Sequence, residues 1–190
     1  MIQKTTKRLT ILFLLFFLDS NLLAVDDSDI FFEAVFFTAV KKSNYEKVME
    51  MFEKGVSANI LDSDDMSPIG YALINDDKRM FDLLIKNDAN INLIIQKKTS
   101  HLTFYIKSQR SKLLKSLIAY GSDLNFRDNT GMTPMMHAIE NVNIDAVNIL
   151  LESDIEMDLT DYSGKTIFDY AKNSRNNYLR KLIISTDKNF

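Results

Sequence analysis

Cysteine is absent from this 190-residue chain, which excludes disulfides, thiolate zinc or iron–sulfur sites, cysteine nucleophiles and acylation of the lipoprotein type. Only five glycines and two prolines are present, too few for collagen-like or proline-rich linker sequence. Two histidines leave little for a metal or proton-transfer site. An excess of one charge is also missing. The 23 basic and 26 acidic residues sum to −3, which gives no electrostatic footprint for nucleic acid. No Asn-x-Ser/Thr acceptor occurs, nor a glycine-rich phosphate loop, a Gly-x-Ser-x-Gly elbow or a framed pair of carboxylates. An enzyme is not expected, and neither a cofactor nor a metal is called for. What remains, 46% hydrophobic and 26% charged, is the composition of one folded domain or a repeat array of similar mass.

The N-terminus reads as an address. Lys4, Lys7 and Arg8 precede an apolar run from Leu9 to Leu18, about half of the ~20 residues a membrane-spanning helix needs. Asp19-Ser20-Asn21 breaks the run, and Leu22-Leu23-Ala24 brings a small residue just before acidic Val25-Asp26-Asp27. That order is a secretory signal peptide. Residues 1–24 are expected to be removed, leaving a domain at 25–190 with 20 basic and 25 acidic residues. Export is therefore expected, and the lack of cysteine and of N-glycosylation acceptors fits a bacterial periplasm or medium better than a eukaryotic secretory route. The competing reading keeps the helix as an uncleaved anchor and makes the protein a membrane-tethered structural element.

Self-similarity governs the rest of the chain. A step of 33 residues links Asn59, Asn92, Asn125 and Asp158, then Ser67, Ser100, Thr133 and Thr166, then Ala39, Ala72, Ala138 and Ala171. Each unit divides into two helices and a turn. The hydroxyl residues at 67, 100, 133 and 166 are N-caps. Pro68 and Pro134 follow two of them at the first helical position, where a missing N–H costs nothing. A second cap falls at Asn44, Asp77, Asn143 and Asn176. The second helices carry apolar residues at helical spacing, such as Phe81, Leu84 and Ile85 or Val147, Leu150 and Leu151. Gly55 and Gly121 end two of these helices where a left-handed backbone is favoured, and Asp88 and Asp154 take that place in two others.

These motifs resemble the ankyrin repeat family. Asp128-Asn-Thr-Gly131-Met-Thr133-Pro134-Met135 resembles its D-x-x-G-x-T-P-L opening, Asn143 to Leu151 its H-x-E-V-V-x-L-L-L helix, and Gly121 to Asn125 its G-A-D-V-N block. The resemblance covers about residues 29–185. It implies an all-α solenoid of five helix–turn–helix units with β-turn fingers, at about 29–61, 62–94, 95–127, 128–160 and 161–190. Three departures stand out. The family's histidine would fall at Met136, with His137 one residue late, so the turn-to-turn bond it provides is not expected. The third unit has Ile95 for Asp, Lys98 for Gly and Tyr105 for Ala, which predicts a distorted finger. The first unit has Phe31, Phe32, Phe36 and Phe37 in place of the opening, as a terminal cap would.

The resemblance implies a module that binds another protein with the concave face of turn tips and first helices. Carried onto this register, the contact residues are Met66, Lys97, Thr99, Asn129, Met132, Tyr162 and Lys165 at the tips, with Ile74, Lys107 and Glu140 on the first helices. Exposed Met, Ile and Tyr are adaptable anchors, although Met66 and Met132 could equally pack on the adjacent finger. The partner's identity is open; regulation or protection of an envelope enzyme is one form it takes. The chain itself is expected to be a monomer. His101 and His137 are three positions apart in register and read as packing residues. Asp62-Ser63-Asp64-Asp65 begins like a calcium loop, but Ser67 and Leu73 occupy the positions that need Gly and a carboxylate, so it is a solvated turn. Lys97, Lys98, Lys107, Arg110, Lys112 and Lys115 make the third unit locally basic, facing water, an acidic partner or a membrane surface.

Overall fold

The computed structural model describes residues 27–186, and the signal-peptide segment 1–24 lies outside them. The described chain is all-α, with no strand among its residues. Unit one holds α1 (Asp27–Lys41) and α2 (Tyr45–Glu53), and unit two holds α3 (Pro68–Ile74) and α4 (Lys78–Lys86). Unit three holds a one-turn 3-10 helix at Gln96–Lys98, then α5 (His101–Lys107) and α6 (Leu114–Ala119). Units four and five hold α7 (Pro134–Glu140), α8 (Ile144–Leu151), α9 (Ile167–Asn173) and α10 (Asn177–Ile184). From α3 onward the first helices open 33 residues apart, and each packs on the next: α1 on α3, α3 on α5, α5 on α7, α7 on α9. The stack is an ankyrin-type solenoid.

The caps explain this regularity. Ser67, Ser100, Thr133 and Thr166 each accept from the amide three residues on, at 3.0, 3.2, 3.4 and 3.3 Å. Asn44, Asp77, Asn143 and Asn176 do the same for the second helices, at 3.0, 2.9, 3.1 and 3.0 Å. These bonds satisfy free N–H groups that no helix can satisfy internally. One core runs the length of the stack, from Phe36 and Val40 through Leu73, Phe81, Leu84, Ile106 and Leu117 to Val147, Leu179 and Ile183. Four of the five first helices carry a small residue at one register position, Ala39, Ala72, Ala138 and Ala171, and each is buried.

A second set of bonds ties unit to unit. Asn59 Oδ1 accepts from Asn90 N at 2.6 Å while its amide donates to Asp88 O at 2.9 Å. Asn92 repeats both bonds with Asp123 N and Gly121 O, each at 2.9 Å. Asn125 accepts from Glu156 N at 2.9 Å and donates to the Glu156 carboxylate at 3.2 Å. An amide side chain carries an acceptor oxygen and a donor nitrogen on one carbon, which lets it make both bonds at once.

Backbone signs depart from expectation in two places. Asp88 is left-handed (φ 61°) beside Gly55 and Gly121 (88° and 85°), but Asp154 is not: unit four closes with Ser153 N bonded to Leu150 O. A left-handed series also recurs between first and second helices at Ser43, Asp76, Gln109 and Val142 (53°, 49°, 57° and 54°), none of them glycine. For β-branched Val142 this is a strained conformation.

Candidate functional site

Each finger closes around the residue that opens it. Asp62 Oδ1 accepts from Asp64 N and Met66 N, both at 3.0 Å. Asp128 Oδ1 accepts from Thr130 N at 2.8 Å and Met132 N at 3.2 Å, and Asp161 Oδ1 from Ser163 N and Lys165 N at 2.8 and 2.9 Å. The segment that begins like a calcium loop is an Asx turn, as read, with its carboxylate accepting from two backbone amides, and no cluster of three or more His, Asp or Glu side chains suited to a metal ion occurs among the described residues. The second carboxylate oxygen meets the first helix nine residues on. Tyr71 donates to Asp62 at 2.5 Å, His137 to Asp128 at 2.8 Å and Tyr170 to Asp161 at 2.8 Å. In unit three the same pair is Ile95 and Phe104, both apolar. The sequence reading missed this pairing, although its signal was there: the two positions change together.

His137 therefore holds its own finger to its own helix, and sits buried beside Asp128. Burial lowers its pKa, and Asp128 opposes that shift only in part. Burial alone would raise the Asp128 carboxyl, but the Thr130 hydroxyl and amide and then His137 outweigh it and hold the carboxyl below its ordinary range. The turn-to-turn bond not expected from His137 is supplied by His101, one unit earlier. Its Nδ1 lies 2.8 Å from Ile91 O, an acceptor only, so Nδ1 carries the proton and Nε2 accepts from the Ser67 hydroxyl at 2.5 Å. Burial pushes the His101 pKa down to about 4.

The third finger closes, and it is distorted as expected, with two left-handed residues in succession, Lys97 and Lys98, in its one-turn 3-10 helix. Ile95 N donates to Thr99 O at 2.9 Å and Thr99 N returns a 3.3 Å bond to Ile95 O, while Gln96 N reaches Asp65 O on the preceding finger at 3.0 Å. Tyr162 N joins the fifth finger to Thr130 O on the fourth in the same manner, at 3.1 Å. A second irregularity of this unit lies in α6, which begins after Leu113 with no side-chain cap. Tyr105 is fully buried at the position where the other units have Ala. Its hydroxyl donates to Asp76 at 2.6 Å and accepts from Leu113 N at 2.9 Å.

These frames decide which expected contact residues reach solvent. Met66, Thr99 and Met132 are buried at 3%, 6% and 7% exposure, which corrects their placement on the recognition surface. The physical reason is local. Met66 folds over Gly70, leaving no room there for even a Cβ, and Met132 belongs to the hydrophobic core. Ile74, Lys97, Lys107, Asn129, Glu140, Tyr162 and Lys165 are exposed. Tyr162 lies across Gly131, 69% exposed, with the Arg127 guanidinium 5.1 Å from its ring. Two grooves bring four of these residues together in pairs, whereas Ile74, Asn129 and Tyr162 line neither. Lys97 and Lys107 flank one of about 300 Å³ between the third finger and α5, and Glu140 and Lys165 meet in another of about 380 Å³ between units four and five.

Family models agree with this architecture. One for ankyrin repeats in three copies matches residues 102–190, and one for ankyrin repeats in many copies matches residues 36–85. The chain belongs to the ankyrin repeat family. An ankyrin repeat protein of Rickettsia felis is 32% identical over 114 residues, 60% of this chain and 39% of that protein. Nuclear factor NF-kappa-B p105 subunit of Gallus gallus is 29% identical over 133 residues, 67% of this chain and 14% of the relative. An ankyrin repeat protein of fowlpox virus is 27% identical over 157 residues, 77% of this chain and 46% of its own length. This ankyrin repeat chain thus spans less than half the length of each. Among its described residues, no helix is long and apolar enough to cross a membrane.

Proposed function

We propose that the chain is an exported, non-catalytic module that binds another protein on the concave face formed by its finger tips and first helices. The observation that carries this reading is a division of labour within each unit. Buried carboxylates, caps and asparagine clasps hold the frame, whereas Lys97, Asn129, Tyr162 and Lys165 stand exposed at the tips and Ile74, Lys107 and Glu140 on the first helices. Frame and surface can therefore vary independently, as a recognition scaffold requires. Tyr162 is the natural anchor, a large amphipathic ring already stacked against a guanidinium.

The test places a photocrosslinking residue at Tyr162, and as a control at Glu152 on the opposite, second-helix side, in cells producing the full chain. A discrete protein adduct at position 162 and none at 152 is expected. Adducts at 152 alone, or at neither, would refute the reading. Fractionation with N-terminal sequencing tests export in the same cells. A start near Val25 outside the cytoplasm is expected, whereas an intact Met1 in the membrane fraction would replace export with a permanent tether.

A further inference from the structure

Charge is distributed along the stack in blocks. Residues 95–127 contain seven basic side chains and a single acid, Asp123. The unit before, 62–94, has seven acids and three bases, and the unit after, 128–160, has seven acids and no Lys or Arg. Part of this alternation binds units together. Arg110 reaches Leu73 O, Ile74 O and the Asp76 carboxylate, Lys112 reaches Asp76 O, and Arg127 reaches Gly131 O and Thr160 O. Lys97, Lys98 and Lys107 are different. They are exposed and form no hydrogen bond or ion pair within the described chain. Their own finger lacks the aspartate that opens the other three, so no internal carboxylate answers them.

The backbone gives an independent sign. Fingers two, four and five need one left-handed residue each, at Asp65, Gly131 and Gly164, but the third has two in succession, Lys97 at 56° and Lys98 at 54°. Left-handed backbone is unfavourable for a residue with a Cβ. Where such strain persists, it points to a use for the geometry it imposes. Here it fixes two lysines at the tip, of which Lys97 lines a groove with Gln96, Thr99, Phe104, Lys107 and Ser108.

We propose that this groove takes an acidic, extended peptide segment of the protein partner, with carboxylates at Lys97 and Lys107 and an apolar side chain over Phe104. The proposal rests on the binding-module reading above. A peptide is favoured over a membrane surface because of the flanks: Asp64 and Asp65 are exposed on the preceding finger and Glu140 on the following helix. Adjacent helices stand about 8–10 Å apart, close to the Debye length of about 8 Å at physiological salt. An anionic surface wider than one unit therefore meets repelling carboxylates on both sides, while a single strand does not.

Fluorescence anisotropy with the full chain tests this. The probe is a labelled ten-residue peptide of alternating Glu and Asp with one central Phe, set against its Gln/Asn isostere, inorganic phosphate and phosphatidylserine vesicles. The acidic peptide is expected to bind at least about tenfold more tightly than the isostere, and to weaken as salt rises from about 0.01 to 0.15 M. Charge reversal by Lys97→Glu with Lys107→Glu should remove at least about tenfold of that affinity at unchanged circular dichroism. Lys97→Gly should weaken binding while relieving the strained backbone, so its loss cannot come from unfolding. Equal binding of the isostere, full affinity in the charge-reversed chain, or tighter attachment to phosphate or vesicles than to the peptide would each overturn the proposal. If the adduct at Tyr162 forms but these results fail, the module stands and its acidic ligand does not. If the peptide binds as expected and no adduct forms, the partner surface was drawn wrongly around a sound groove.

Discussion

In unit four a buried carboxylate organises the finger: Asp128 takes two turn amides and the His137 imidazole, and Gly131 supplies the left-handed turn. In unit three, next to it in the stack, Ile95 and Phe104 replace the polar pair, two lysines replace the glycine, and Tyr105 replaces the alanine at the helix contact. Both fingers close, and both first helices keep their hydroxyl caps. A repeat frame can thus be held by a satisfied buried charge or by apolar burial, and the two differ in what they leave available. The polar solution consumes its charged groups internally, whereas the apolar one leaves its lysines uncompensated.

The largest test of this contrast is Tyr105→Ala, which gives unit three the residue its neighbours have. Alanine suits units whose second helix has a first turn, but here it leaves a cavity and an unsatisfied Leu113 N–H. A loss of about 3–5 kcal/mol is expected, measured by urea unfolding; a neutral result would show that α6 can rebuild its first turn. Next is Asp128→Ala, which strands a buried His137 and two turn amides at a cost of about 2–3 kcal/mol. Transplanting the apolar pair, Asp128→Ile with His137→Phe, should cost less than the sum of its single changes by at least about 1 kcal/mol. Strict additivity would refute the equivalence of the two solutions.

The two histidines give a third measurement. His101 has no carboxylate beside it, and its folded pKa of about 4 lies below the ordinary 6.5. The unfolded chain therefore binds a proton first as pH falls, so the contribution of neutral His101 is complete above about 6.5 and is lost progressively towards 4. By pH 5 this amounts to about 2 kcal/mol. His137, also lowered but paired with Asp128, adds to the same slope. Denaturation across this range should show the loss, and His101→Gln should flatten it; an unchanged slope would assign it elsewhere. The smallest effect concerns backbone alone. Val142→Gly should stabilise by about 1 kcal/mol by relieving a left-handed β-branched residue, with a smaller gain at Gln109.

The solenoid was legible because its caps recur at one spacing: a hydroxyl that accepts from the free amide three residues on opens α3, α5, α7 and α9 alike, so Ser67, Ser100, Thr133 and Thr166 announce themselves. Other features are hidden for equally physical reasons. Ser43, Asp76, Gln109 and Val142 share a left-handed backbone without the glycine that would signal it. Met66 and Met132 occupy turn positions, yet their burial depends on folding back over a glycine and into the core, which spacing along the chain does not reveal. Ile95 and Lys98 announce the distorted third finger, but the uncapped start of α6 stays hidden, because Tyr105 acts on the helix that follows. The pairs Asp62–Tyr71, Ile95–Phe104, Asp128–His137 and Asp161–Tyr170 could have been read beforehand by comparing how two register positions vary together.

The asparagine clasps at 59, 92 and 125 carry a further consequence for how such a chain changes over generations. Each joins its own unit to whatever follows through the backbone amide and, in the first two, a backbone carbonyl of the next unit. Main-chain atoms are the same in every repeat, so the clasp is indifferent to which unit comes after it. Loss or duplication of 33 residues by slippage of the coding sequence would leave each asparagine facing a partner of the kind it already has. The length of the array is thus free to drift, while side chains peculiar to single units, such as Tyr105 and the lysines beside it, decide which orders of units remain useful.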